Sequence, residues 1–244
     1  MANTVLLNNV THHQLKVGTY FRADLGDNVN SALAFPTEFL ELQKEYPILF
    51  RQHPETGKYQ AIALLGLQQG ENLFLNPSSK SGWTAHYVPA AIAKGPFLIG
   101  MQSQESGDTS IPVIHIDLDH PKVNREDGYP LFLEHGGNSP YLEHIANVLK
   151  VIHQGVALQE AMFNAFSELN LIEPVDIDIN LPDGEKRRLL GYSTINQEKL
   201  IALDGEQLQR LNKAGFLSLA FAVIASMTNI RRLTEIKKAM DSRI

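Results

Sequence analysis

The stretch His115-Ile116-Asp117-Leu118-Asp119-His120 carries the densest concentration of chemically capable side chains in the sequence. On a strand, successive side chains alternate between faces, so His115, Asp117 and Asp119 share one face while Ile114, Ile116 and Leu118 take the other. A His-x-Asp pair held this way supplies two of the three ligands of a two-histidine, one-carboxylate Fe(II) centre, which keeps positions open for oxygen and a co-substrate. The third ligand would come from His135, His144 or His153. The plainer reading is a half-exposed strand with its polar face towards solvent, and on that reading no cofactor is expected. Cysteine is absent from all 244 residues, which excludes thiol nucleophiles, disulfides, iron–sulfur clusters and cysteine-based zinc sites.

Other candidates are more dispersed. His12, in Thr11-His12-His13, is a candidate for binding a ligand or partner; its structural alternative is a hydrogen bond that pins the N-terminal segment. Glu71 and Asn72 follow Gly66-Leu67-Gln68-Gln69-Gly70, which has neither the Lys-Ser/Thr of a phosphate loop nor a Gly-x-Gly-x-x-Gly pattern. A turn with glycine at positive φ accounts for that spacing, and Glu71 and Asn72 either stabilise it or line a site. Trp83 and Tyr87 can form an aromatic platform for a sugar or peptide, or anchor a core. Glu134-His135-Gly136-Gly137-Asn138-Ser139 has the look of a catalytic loop, but no Gly-x-Ser-x-Gly elbow occurs anywhere, and Ser139 is better placed as a helix cap. Arg231, Arg232, Lys237, Lys238 and Arg243 make the last helix basic, as a solvated face or as a surface for an acidic partner.

The elements that must position these residues divide into a strand-rich first half and a helix-rich second half. Strands are expected at 17–21, 47–51, 59–67, 73–75, 96–99 and 111–118, with a hairpin turn at His53-Pro54-Glu55-Thr56-Gly57. Pro36 opens a short helix to about Tyr46. Residues 119–138, rich in Asp, Gly and Pro, read as a long surface connection. From Ser139-Pro140 the period becomes helical through Leu142, Ile145, Val148, Leu149 and Ile152, continuing to about Leu169. Val175 to Ile179 alternates as a strand, and Pro182-Asp183-Gly184 turns it into 187–192. A short strand at 193–196 and two terminal helices, about 204–214 and 215–240, complete an α+β chain with antiparallel hairpins. No Pro/Ser/Gly-rich linker divides it, so residues 1–244 are read as one domain, with a seam, if there is one, at 119–138.

A formal net charge of −6 argues against nucleic acid or an anionic membrane as the main partner. The opening Met1-Ala2-Asn3-Thr4-Val5 has no basic, apolar signal pattern, and the apolar run Ala214–Met227 is shorter than the roughly 18–20 residues that span a bilayer. A cytoplasmic, non-membrane-spanning protein is therefore expected, and a homo-oligomer is compatible with all of this.

Read in order, the landmarks are His12-x-x-Leu15; Glu38 to Phe50 with Tyr46-Pro47-Ile48; Ala63-Leu64-Leu65-Gly66-Leu67-x-x-Gly70-Glu71-Asn72-Leu73-Phe74; Trp83-x-x-x-Tyr87-Val88-Pro89-Ala90; and Pro96-Phe97. Leu131-Phe132, Pro140, Leu171-x-Glu173-Pro174, Asp183-Gly184 and Asn229-Ile230-x-Arg232-Leu233 follow. This series resembles the bacterial SapC family over nearly the whole chain. The resemblance implies an association with surface-layer or envelope systems, and with genes for TonB-dependent receptors, cupin-like hydroxylases and flavin-dependent halogenases. The resulting expectation is a non-catalytic protein that binds a peptide or protein partner in such an envelope or uptake system. The alternative is an Fe(II)-dependent oxygenase, or an accessory to one, using His115 and Asp117.

Overall fold

The computed structural model describes residues 3–103, 110–180 and 186–242. The expected Pro182-Asp183-Gly184 turn and Arg243 lie outside the described residues. In chain order the elements are β1 (Thr4–Leu6), β2 (Lys16–Val17), β3 (Ser31–Leu33), α1 (Phe39–Leu42), β4 (Ile48–Gln52), β5 (Tyr59–Leu64), α2 (Ala90–Ala93), β6 (Phe97–Ser103), β7 (Ser110–Asp117), β8 (Val123–Asn124) and β9 (Tyr129–Pro130). There follow α3 (Pro140–Glu168), β10 (Ile172–Asn180), β11 (Lys186–Ile195), α4 (Gln197–Ile201), α5 (Gly205–Lys213), α6 (Phe216–Ser226) and α7 (Asn229–Asp241). Single turns of 3-10 helix occupy Ala23–Leu25 and Pro36–Glu38. The paired strands are antiparallel and the longer helices gather late, so the α+β class holds.

The chain divides into two compact units, one of Met1–Asp27, Leu75–Thr84 and Ala90–His153, the other of Asn28–Phe74, Ala85–Pro89 and Gln154–Ile244. The segment 119–138 lies wholly inside the first unit.

In the first unit two three-stranded sheets form, β1-β7-β6 and β8-β2-β9. The row Val5–Ile116–Phe97 faces a core completed by Leu15, Val17, Leu131, Leu142, Ile145 and Leu149, with Ile114 and Leu118 packed on it. The next row, Leu6–His115–Leu98, points the other way, so the alternation expected for β7 is present. The start of α3 is as the sequence indicates: the Ser139 hydroxyl accepts from Leu142 N–H at 3.1 Å, and Pro140 takes the first helical position.

Two expectations for this unit fail. The strand foreseen at 17–21 ends at Val17, because Gly18 N–H turns to the Lys122 carbonyl and Phe21 N–H to the Ser81 carbonyl. The stretch 119–138 is no mere surface connection. It supplies β8 and β9 to either side of β2 and buries Leu131, Phe132 and Lys122. Burial of Lys122 is compensated by Asp27, 2.8 Å away, and by the Phe21 ring, whose centroid is 4.4 Å from the ammonium.

The second unit is built on the sheet β10-β11-β4-β5-β3. The β4–β5 hairpin forms as expected, its turn closed by His53 Nδ1 accepting from Glu55 and Thr56 N–H and by Gly57 at φ +65°. Phe163 and Phe166, on the second half of α3, pack against Phe50, and Phe163 also stacks on Tyr59. Gly155 lets α3 come close to the 35–37 segment: a Cβ there would lie 2.5 Å from the Phe35 Cβ and 2.7 Å from Thr37 Oγ1. The strand expected at 73–75 is absent; Leu75 makes one isolated bridge, to Trp83.

The helical run Phe216–Asp241 is long and apolar enough by composition to cross a membrane, with a mean hydropathy of 1.3 in its most apolar 18-residue window, of which 39% is buried inside the protein. It is interrupted at Met227-Thr228, and two of its polar side chains, Ser226 and Asn229, are buried. Ser226 Oγ accepts from Ile48 N–H at 2.9 Å, and the Asn229 amide donates to the Gln43 and Tyr46 carbonyls. Phe216, Ala220, Ala222, Val223 and Leu233 are buried along the same run.

Candidate functional site

The segment between Phe35 and Pro47 places two glutamates in the interior of the second unit. Phe39, Leu42 and Tyr46 are fully buried, and the coil that buries them carries Glu38 and Glu45 inward, seven residues apart on one flank. Pro47 lacks the N–H that would extend the helical turn, and β4 begins at the next residue. A buried carboxylate is tolerable only when its oxygens are satisfied, and both are.

Glu45 Oε2 accepts from the backbone N–H groups of His86 and Tyr87 at 2.9 and 3.0 Å. Its Oε1 lies 3.2 Å from His86 Nδ1 and 3.4 Å from Arg232 Nη2. Burial pushes the Glu45 carboxyl up, but the two backbone N–H groups, the imidazole and the guanidinium outweigh it and hold the group below the usual glutamate range. Glu38 accepts from Phe35 N–H at 3.1 Å and from the Tyr87 hydroxyl at 2.8 Å. The Tyr46 hydroxyl donates to the Tyr87 carbonyl. Tyr87 is thus held at its N–H, its carbonyl and its phenol, and burial together with Glu38 drives that phenol far above its ordinary pKa.

Over this clamp lies a pocket of about 470 Å³ lined by Glu41, Lys44, Glu45, His86, Tyr87 and Arg232. The His86 side chain is 98% exposed; its Nδ1 proton is assigned by the bond to Glu45, leaving Nε2 to face out. Lys44 is paired with Glu41 at 2.7 Å on the rim. Two glutamates, one lysine and one arginine leave the lining electrically balanced.

The residues singled out from the sequence fall in several places. Tyr87 belongs to the pocket. Trp83 belongs to the first unit, where it is buried edge-on to Phe21 with ring centroids 5.4 Å apart, as a core anchor is. Glu71 stabilises its turn by accepting from Leu67 N–H at 2.8 Å and pairs with Lys237 at 3.0 Å. Asn72 is buried and accepts from Phe74 N–H at 3.1 Å. His12 Nδ1 accepts from Asn8 N–H at 3.1 Å, the bond expected of a residue that pins the N-terminal segment.

His115 lies flat against Gly100, where a Cβ would be 2.4 Å from the ring, and its Nδ1 is buried with no hydrogen-bond partner among the described residues. Asp117 accepts from Asp119 N–H at 3.2 Å. Among the described residues no group of three or more His, Asp or Glu side chains that could hold a metal ion forms, around this pair or elsewhere.

Glu45 and His86 were not singled out by their chemistry, and Arg232 only as one of the basic residues of the last helix. Glu45 and Arg232 did carry a signal, since both fall within the landmarks Glu38–Phe50 and Asn229-Ile230-x-Arg232-Leu233, 187 residues apart. The basic face assigned to the last helix also proves less solvated than expected: the Lys237 side chain is 19% exposed and held by Glu71 and Asp241.

No curated protein and no solved structure matches this chain. The model of the SapC family matches residues 7–233. That span takes in Glu38–Tyr46, His86-Tyr87 and Arg232, the three separate segments that close this pocket, together with nearly all the rest of the sequence; the chain belongs to the SapC family.

Proposed function

We propose that the chain is a non-catalytic binding protein that takes a peptide or protein partner at the Glu45 pocket, in the cytoplasm, as part of a bacterial envelope, surface-layer or uptake-associated system. The observation that carries this reading is how the pocket uses its acids. Glu45 is committed to four donors and Tyr87 to three partners, so both serve to hold the 85–89 segment rigid beneath an open, charged rim. Rigid support beneath exposed polar groups is what recognition of a partner requires, because it lowers the ordering cost of binding. The envelope association rests on the family alone. The run 216–241 packs part of its apolar surface into the protein's own interior, which favours a chain that does not span a membrane; the cytoplasmic setting is part of the proposal.

The test is a quantitative native pull-down from cross-linked cells with the full chain and with His86→Gln, which removes the imidazole from the exposed rim while keeping a side-chain donor and the backbone N–H bonds for Glu45. A partner from an envelope or uptake system that is retained by the wild type and lost by the variant supports the proposal. Retention of the same proteins by both, or turnover of a defined substrate without any partner, overturns it.

A further inference from the structure

The pocket's charges are not equally available. Lys44 is neutralised by Glu41 at 2.7 Å, and both are exposed on the rim. Glu45 already has two backbone N–H groups and an imidazole, and Arg232 approaches it through one nitrogen at 3.4 Å, the longest of the four contacts. Among the described residues this is the only hydrogen bond or ion pair of the Arg232 side chain, which is 41% exposed. A guanidinium has five N–H donors in a planar fork, so most of this one faces the pocket unused.

Resting on the binding role proposed above, we infer that Arg232 is the anchor for a carboxylate group of the bound peptide, received as a two-pronged guanidinium–carboxylate pair beside His86. The planar fork can grip either a carboxylate or a phosphate in a two-pronged pair, and the charge of the lining selects the carboxylate. The lining is already balanced, so a carboxylate adds one negative charge to it, whereas a phosphate dianion adds two beside the Glu41 and Glu45 carboxylates. The net charge of −6 repels anions from the protein as a whole, so preference for a carboxylate must arise locally.

The probe is a mixture of N-acetylated tetrapeptides in three forms: with a free C-terminal carboxylate, with a C-terminal carboxamide, and with a carboxamide following a terminal glutamate. Retention on the immobilised full chain is read by mass spectrometry. The expected result is that the free-carboxylate form is retained at least about tenfold better than the plain carboxamide, the value of one charge-assisted pair at a partly exposed site. Arg232→Gln removes that preference, and Arg232→Lys restores only part of it, since an ammonium keeps the charge but lacks the fork. Thermal melting of each variant confirms that it is folded.

Equal retention of the glutamate-terminated carboxamide assigns the carboxylate to a side chain and keeps the anchor. Equal retention of carboxylate and plain carboxamide, or an undiminished preference in Arg232→Gln, overturns the anchor while leaving peptide binding intact. Failure of all three forms to bind the wild type overturns the peptide-binding reading and the anchor with it.

Discussion

Replacing Glu45 by glutamine keeps the size and shape of the side chain and removes its charge. The two backbone N–H bonds, at 2.9 and 3.0 Å, fall from charge-assisted to neutral strength, a loss of about 1 kcal/mol each. One end of the amide becomes an NH₂ group, which must face either those N–H donors or the imidazole and guanidinium; a buried donor against a donor costs about 1 kcal/mol more. The sum is about 3 kcal/mol, and because the Glu45 side chain is 8% exposed, solvent screening reduces it little. In a protein of this size that corresponds to a fall in melting temperature of roughly 6–12 °C at neutral pH.

The pH dependence of that difference has a definite sign. The folded carboxyl lies below its unfolded value, near 4.3, so its contribution is complete above that pH and is lost as pH falls through the folded value. Calorimetric melting of wild type and Glu45→Gln between neutral and acid pH measures both effects. The gap should be widest near neutrality and should close in acid, below about pH 4. Melting temperatures that coincide at neutral pH, or a gap that persists unchanged into acid, would refute the clamp.

Gly155→Ala places a Cβ 2.5 Å from the Phe35 Cβ, and the overpacking should cost about 1–3 kcal/mol by urea unfolding even though alanine favours helix; a stabilised variant would show that Phe35 can yield. Lys122→Met leaves the Asp27 carboxylate buried without its cation and should cost about 3–5 kcal/mol, part of it recovered in the double variant with Asp27→Asn, which keeps an acceptor for the Arg22 N–H; an undiminished loss in the double variant would refute the ion pair as the cause. His120 is held below the usual histidine range by burial and then by Lys122, so the unfolded chain takes up the proton first and stability falls as pH drops below about 6.5. His120→Gln should flatten that slope when urea midpoints are compared across this range, and an unaltered slope would assign it to another group.

How much was legible depended on how local the cause was. The β4–β5 hairpin carries its turn chemistry in His53 to Gly57, and α3 announces itself by Ser139-Pro140 and an apolar period; both were readable because their determinants lie within a few residues of each other. Strands β1 and β3, three residues each, went unread, because Thr4–Leu6 becomes a strand only through pairing with His115 to Asp117. The 73–75 segment has the residues of a strand but forms no ladder, since β-propensity is satisfied only where a partner edge is available. The same holds for 119–138, whose polar composition conceals a buried lysine that Asp27 makes tolerable.

The amino-acid sequence carries the α+β class, the exclusion of all thiol chemistry and the family, because composition, period and ordered landmarks are properties of the chain as written. It also determined that His115 and the isoleucines beside it take opposite faces, since alternation follows from the strand backbone alone. The site depends on contacts between residues far apart in the chain. A glutamate is exposed by default, and nothing within reach of Glu45 along the chain supplies its donors. They arrive from His86 and Tyr87, 41 and 42 residues on, and from Arg232, 187 residues on, and burial of the carboxylate becomes affordable only once all of them converge.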